Sequence, residues 1–113
     1  MALGAYSQAK ISGNRIYTSG QIALSPITNS IEEVTIEGQT IQVCENIKAI
    51  LEEAGSSLGK VIKTTCFLKD MRDFESFNRI YASYFIAKPA RSCVAVSGLP
   101  KNALVEVEVV AER

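Results

Sequence analysis

What most limits the fold of this chain is the interleaving of two segments of helical period with five short runs of strand-like alternation. Across residues 36–54, Ile36, Val43, Ile47, Ile50, Leu51 and Ala54 recur at helical spacing, with Thr35 placed as N-cap and Gly55 just past the end. A second helix follows Asp73, read as its N-cap, and carries a stripe of Phe74, Phe77, Ile80, Tyr81, Tyr84 and Phe85. Such a stripe reads first as a core-facing surface rather than a cofactor box. Residues 7–11 and 15–22 flank Gly13-Asn14, a pair suited to a tight hairpin turn. Residues 61–68 are β-branched or apolar on both faces, with Thr64, Cys66 and Leu68 on one and Val61, Thr65 and Phe67 on the other. Residues 91–96 and 104–110 supply the last two strands.

The order β-β-α-β-α-β-β predicts an α+β fold: a single domain over residues 1–113, built as one mixed sheet with both helices on one face. Two helices cover one face only. Apolar residues on the other face would then need a partner subunit, so self-association follows from the layer count.

Charge and missing residue types narrow the chemistry. The 113 residues include 12 Lys+Arg, 12 Asp+Glu and no histidine. Zero net charge without a basic stripe argues against a nucleic-acid partner, which would need clustered cations to neutralise phosphates. It also leaves little colloidal repulsion, which suits a protein that self-associates. Ser-His-Asp and Cys-His relays, and most catalytic zinc sites, draw on imidazole and are excluded. Cys44, Cys66 and Cys93 lie far apart with no C-x-x-C spacing, so no disulfide framework or metal knuckle is expected; they read as reduced thiols of a cytosolic-type compartment. The first residues do not read as a signal peptide, and no run approaches the roughly 20 apolar residues of a membrane helix.

What remains is chemistry by arginine, carboxylates, hydroxyls, thiols and ordered water. Residues 88–94, Lys-Pro-Ala-Arg-Ser-Cys-Val, followed by Leu99-Pro100-Lys101 and Val105-Glu106-Val107-Glu108, put one arginine on a predicted strand and carboxylates on the next. Alternation places Arg91, Cys93 and Ala95 on one face of their strand. Glu106 and Glu108 share a face of theirs, roughly 6–7 Å apart. A guanidinium is a permanent, rigid fork of donors that matches a carboxylate, so a small carboxylate substrate is one reading. A cross-strand ion pair between Arg91 and a glutamate of the next strand, Glu106 or Glu108, without catalytic role is the other.

Six segments give the chain a closer identity. Gly4-Ala5-Tyr6-Ser7-Gln8, Thr18-Ser19-Gly20-Gln21-Ile22, Glu45-Asn46-Ile47-Lys48-Ala49-Ile50-Leu51, Lys63-Thr64-Thr65-Cys66-Phe67-Leu68, Pro89-Ala90-Arg91-Ser92-Cys93-Val94, and Leu99-Pro100-Lys101 with Val105-Glu106 resemble the signatures of the RidA (reactive intermediate deaminase A, YjgF) family. The resemblance runs from Gly4 to the C-terminus. It departs from the family's usual pattern at Ala5, at Ala95 and in an abbreviated run between Phe85 and Pro89.

The resemblance implies a chorismate-mutase-like fold assembled as a homotrimer, with sites in the clefts between subunits. It implies cofactor-independent hydrolysis of imines and enamines such as 2-aminoacrylate to 2-oxo acids and ammonia, the work of a cytoplasmic damage-control deaminase (mitochondrial if a targeting segment lies outside this chain). By the same resemblance Arg91 binds the substrate carboxylate and Glu106 holds or activates the attacking water. Tyr6, Ser19, Gly20 and Cys93 line the pocket, Cys93 through its backbone, and Asn78 matches a frequent family asparagine. No metal is implied. Some members of the family are described as endoribonucleases or translation inhibitors, and a non-catalytic ligand-binding trimer would use the same cleft; these are the competing readings.

Overall fold

A computed structural model describes residues 7–113; Tyr6, with Gly4 and Ala5 before it, lies outside the described residues. The elements follow the expected order: β1 (Ala9–Ser12), β2 (Arg15–Thr18), α1 (Ile36–Glu53), β3 (Val61–Leu68), α2 (Phe74–Tyr84), β4 (Ala90–Ala95) and β5 (Val105–Glu112). In the sheet they lie in the order β1-β2-β5-β3-β4. All neighbours are antiparallel except β3 and β4, so the sheet is mixed. The last strand therefore inserts between the second and third, and β4 becomes an edge.

Local chemistry accounts for the helix limits. Thr35 stands in extended conformation and its Oγ1 accepts from the Gly38 N–H at 3.0 Å, satisfying one donor of the first turn of α1. Gly55 leaves the helix at φ 84°, where a side chain would be strained. Asp73 does not cap α2 as expected. Its backbone is already helical and its side chain makes no cap bond; Asp70 instead accepts from the Arg72 N–H and caps a 3₁₀ turn that runs directly into α2. The spacing of acidic residues could not separate these two starts.

Both helices pack on one face. Ile36, Val43, Ile47 and Leu51 of α1 and Phe77 and Tyr81 of α2 share one core with Cys66, Leu68, Val105, Val107, Val109 and Ala111. Each fully buried aliphatic or aromatic side chain in that set contributes on the order of 1.5–3 kcal/mol. One facing assignment changes. A bulge between Val61 and Lys63 returns Val61 to the helix side, opposite buried Ala111, although strict alternation put it with Thr65 and Phe67.

The face away from the helices carries Tyr17, Phe67, Val94 and Val110 among Lys63, Thr65, Glu106 and Glu108, as the strand register requires. Tyr17 is 44% and Val94 48% exposed. No helix among the described residues is long and apolar enough to cross a membrane.

Candidate functional site

Arg91 lies on the helix side of β4, in register with buried Thr64 of β3. Its Nη1 donates to Asn78 Oδ1 of α2 at 2.6 Å. Its guanidinium carbon lies 4.7 Å from the centroid of the Tyr81 ring and 5.5 Å from that of Phe74. The Tyr81 ring is itself fixed, because its hydroxyl and the Thr64 hydroxyl are 2.7 Å apart and the ring stacks on Phe85 at 4.5 Å. One cation is thus held by a neutral amide and two aromatic faces. Among the described residues the one ion pair is Asp70–Arg72, so the charge of Arg91 is not neutralised by a carboxylate there. In front of it opens a surface cleft of about 550 Å³, lined by Asn78, Tyr81, Phe85, Ile86, Lys88 and Arg91 among others.

Glu106 is positioned differently. It lies on β5 opposite Phe67, on the face away from the helices. Beyond β2 the chain bends: the Thr18 side chain, not a backbone carbonyl, accepts from the Val109 N–H at 3.0 Å, and Gln21 resumes pairing with Val107. Ser19 and Gly20 are displaced between these two points, with the Ser19 N–H on the Gln8 carbonyl at 2.8 Å and its hydroxyl donating to the Ser7 carbonyl at 2.6 Å. The displacement brings the Gly20 backbone against the Glu106 carboxylate so closely that a Cβ at residue 20 would collide with it. Burial, and secondarily the Glu108 carboxylate, raises the pKa of Glu106 above its ordinary 4.5.

The structure therefore brings Gly20 against Glu106, with Ser19 next to it in the chain, and Asn78 against Arg91, with Cys93 on the same strand face as Arg91, but it does not bring the two groups together. β3 separates β4 from β5, and Thr64 and Phe67, the register partners of Arg91 and Glu106, are an odd number of residues apart. Arg91 and Glu106 point to opposite faces of the sheet. A cross-strand ion pair between them within one chain is ruled out, which corrects that reading of the sequence. The sequence placed both strands, but it held no signal that β5 would lie one strand away from β4.

Cys93 shares the face of Arg91, in register with Cys66. Burial raises the Cys93 pKa against a weaker lowering by Arg91, and burial pushes Cys66 up to about 12. Neither thiol is prepared as a thiolate nucleophile. Among the described residues no three His, Cys, Asp or Glu side chains converge as metal ligands. Tyr81 and Phe74, counted as core from the sequence, also form the shelf under Arg91. Each lies one turn of α2 from Asn78, but that spacing is equally that of a plain core stripe and does not by itself mark the role.

The family model described as Endoribonuclease L-PSP matches residues 1–113. A Lactococcus lactis protein named as a candidate regulator, AldR, is 54% identical over 98% of this chain and 89% of its own length. The 2-iminobutanoate/2-iminopropanoate deaminase of Salmonella typhimurium is 42% identical over 99% of this chain and 90% of its own. Among solved structures, an Entamoeba histolytica protein described as a candidate endoribonuclease L-PSP superposes with TM-score 0.96 at 55% identity, covering 99% of this chain and 90% of that one. The Escherichia coli TdcF structure with bound serine superposes at TM-score 0.94 and 40% identity, covering 99% and 91%.

Proposed function

This chain belongs to the L-PSP family, which includes the RutC and RidA proteins, and we propose that within it the chain is a deaminase hydrolysing the imines and enamines of small 2-amino acids. The observation that carries this reading is the Arg91 guanidinium, oriented by Asn78 and two rings and left without a carboxylate partner among the described residues, at the edge of an open cleft. A substrate carboxylate supplies the missing anion and is oriented by the fork. The deaminase name of the Salmonella relative and the serine bound in TdcF support a ligand of amino-acid size.

The reaction needs little beyond orientation and water. Water adds its oxygen to the imine carbon, the carbon–nitrogen bond then breaks, and the nitrogen leaves as ammonia with the protons that water and the site return to it. Glu106 orients the water and relays its proton; a carboxylate whose pKa is raised toward working pH suits a group that takes up and gives back a proton. Because Arg91 and Glu106 occupy opposite faces of one sheet, the reading requires two copies of the chain, Arg91 from one and Glu106 from its neighbour. A homotrimer, joined through the sheet face that bears Tyr17 and Val94, offers three such sites.

The test is the decay of an enamine absorbance generated in situ from serine by a dehydratase, with and without the protein. Accelerated loss that depends on Arg91 is expected. A rate equal to the buffer control overturns the reading in favour of ligand binding without turnover.

A further inference from the structure

The cleft in front of Arg91 is one-sided in charge. Among the described residues its lining holds two cations, Lys88 and Arg91, and no carboxylate; the rest of that wall is Asn78 and apolar or aromatic groups, including Ile86, which is 76% exposed. The position of Lys88 is built by the backbone. It stands at φ 54°, in the left-handed region, directly before Pro89. A residue before proline is driven toward extended conformations, and a left-handed non-glycine is strained, so this conformation persists because its surroundings impose it. The Lys88 N–H donates to the Phe85 carbonyl at 3.1 Å, closing a turn off the end of α2 that sets Lys88 at the cleft before the chain enters β4.

We propose that Lys88 is a specificity residue and that the cleft selects imino and enamino acids carrying a second carboxylate, the imines of acidic amino acids. The inference rests on the proposed deaminase reading and names the substrate class of that site. Arg91 takes the carboxylate next to the imine carbon. Lys88, three residues upstream and within about 10 Å of chain, reaches the distal carboxylate with its four-carbon stem. Phe85 and Ile86 contact the methylenes between them. The reaction is unchanged: the imino dicarboxylate and water give the 2-oxo dicarboxylate and ammonia. Lys88 is exposed, so the discrimination it supplies is modest, roughly three- to fivefold, and screened by salt.

The experiment compares two imines of equal carbon number, formed in situ by flavin amino-acid oxidases from glutamate and from norvaline, with competing semicarbazone formation as the readout. The expected result is a kcat/KM for the glutamate-derived imine roughly three- to fivefold above that for the norvaline-derived one. Lys88→Gln should bring the ratio near one and Lys88→Glu below one, while Lys48→Gln on α1 leaves it unchanged. Hydrolysis of the norvaline imine without preference for the acidic one, or a preference that survives in Lys88→Gln, overturns the role of Lys88 and leaves the deaminase reading intact. Hydrolysis of neither imine overturns both.

Discussion

Arg91 and Glu106 are held in place by opposite means. Around Arg91 the side chains do the positioning: an amide at 2.6 Å and two ring faces from α2 fix a cation on an edge strand. Around Glu106 the missing side chain does it: Gly20 lets the backbone of a displaced segment lie against the carboxylate. The first arrangement is local, joining a helix to the strand that follows it. The second joins residues 86 positions apart and depends on where β5 enters the sheet. A cation on a rigid shelf suits binding and orientation, and a carboxylate with its pKa raised by burial suits proton transfer.

The largest effect should come from Arg91. Arg91→Ala loses the fork and the charge and should lower imine hydrolysis by roughly a hundredfold or more, with an unchanged circular dichroism spectrum. If the site joins two copies, mixing unfolded Arg91→Ala and Glu106→Gln chains and refolding them together should restore up to roughly a quarter of wild-type activity, from interfaces that receive the intact residue from each chain. Refolded mixtures no more active than either variant alone would place the two residues in independent roles.

Glu106→Gln should separate activity from stability. Its folded pKa is raised, so the native state binds the proton more tightly than the unfolded chain, and stability falls as pH rises from the ordinary glutamate value through the raised one. The glutamine variant lacks that cost. It should therefore be inactive, at least as stable as wild type at pH 7, and no different in stability below about pH 4. Denaturant melts at both pH values check this; a variant less stable at pH 7 would show that Glu106 holds the fold together.

Gly20→Ala tests the other half of the contact. The new methyl must push the carboxylate or the segment aside, and a displacement near 1 Å at a reacting group costs roughly tenfold to a hundredfold in kcat. The smallest change is expected at Cys93. Cys93→Ser should retain at least about a tenth of wild-type activity, a barrier change under about 1.4 kcal/mol, because burial disfavours the thiolate. A covalent adduct on Cys93 in the mass spectrum of the protein incubated with the imine would reverse that assignment.

Most of the secondary structure was legible because each element carries its own period. The Val105, Val107, Val109 and Ala111 alternation of β5 and the Thr35 and Gly55 signals of α1 are local, and the structure keeps them. Two local signals misled. Asp70 and Asp73 both precede α2, and the choice between them depends on the turn in between. The bulge at residues 61–63 reverses the facing of Val61, which alternation alone does not foresee. In the candidate site, Arg91 and Glu106 could be chosen by residue type and motif; Asn78, Tyr81 and Phe74 as partners of Arg91 could not, because a helix stripe that packs a core looks the same whether or not a cation lies on it.

The sequence by itself determined the element order, the two helical stripes that cover one sheet face, and the absence of imidazole that leaves arginine, carboxylate, hydroxyl and thiol chemistry, since these depend on periodicity and composition. The tertiary structure alone decided that β5 lies between β2 and β3, that Arg91 and Glu106 face opposite sides, and that Gly20 meets Glu106. Strand neighbours are chosen by pairing across long stretches of chain, and one position of register turns a side chain from one face of the sheet to the other.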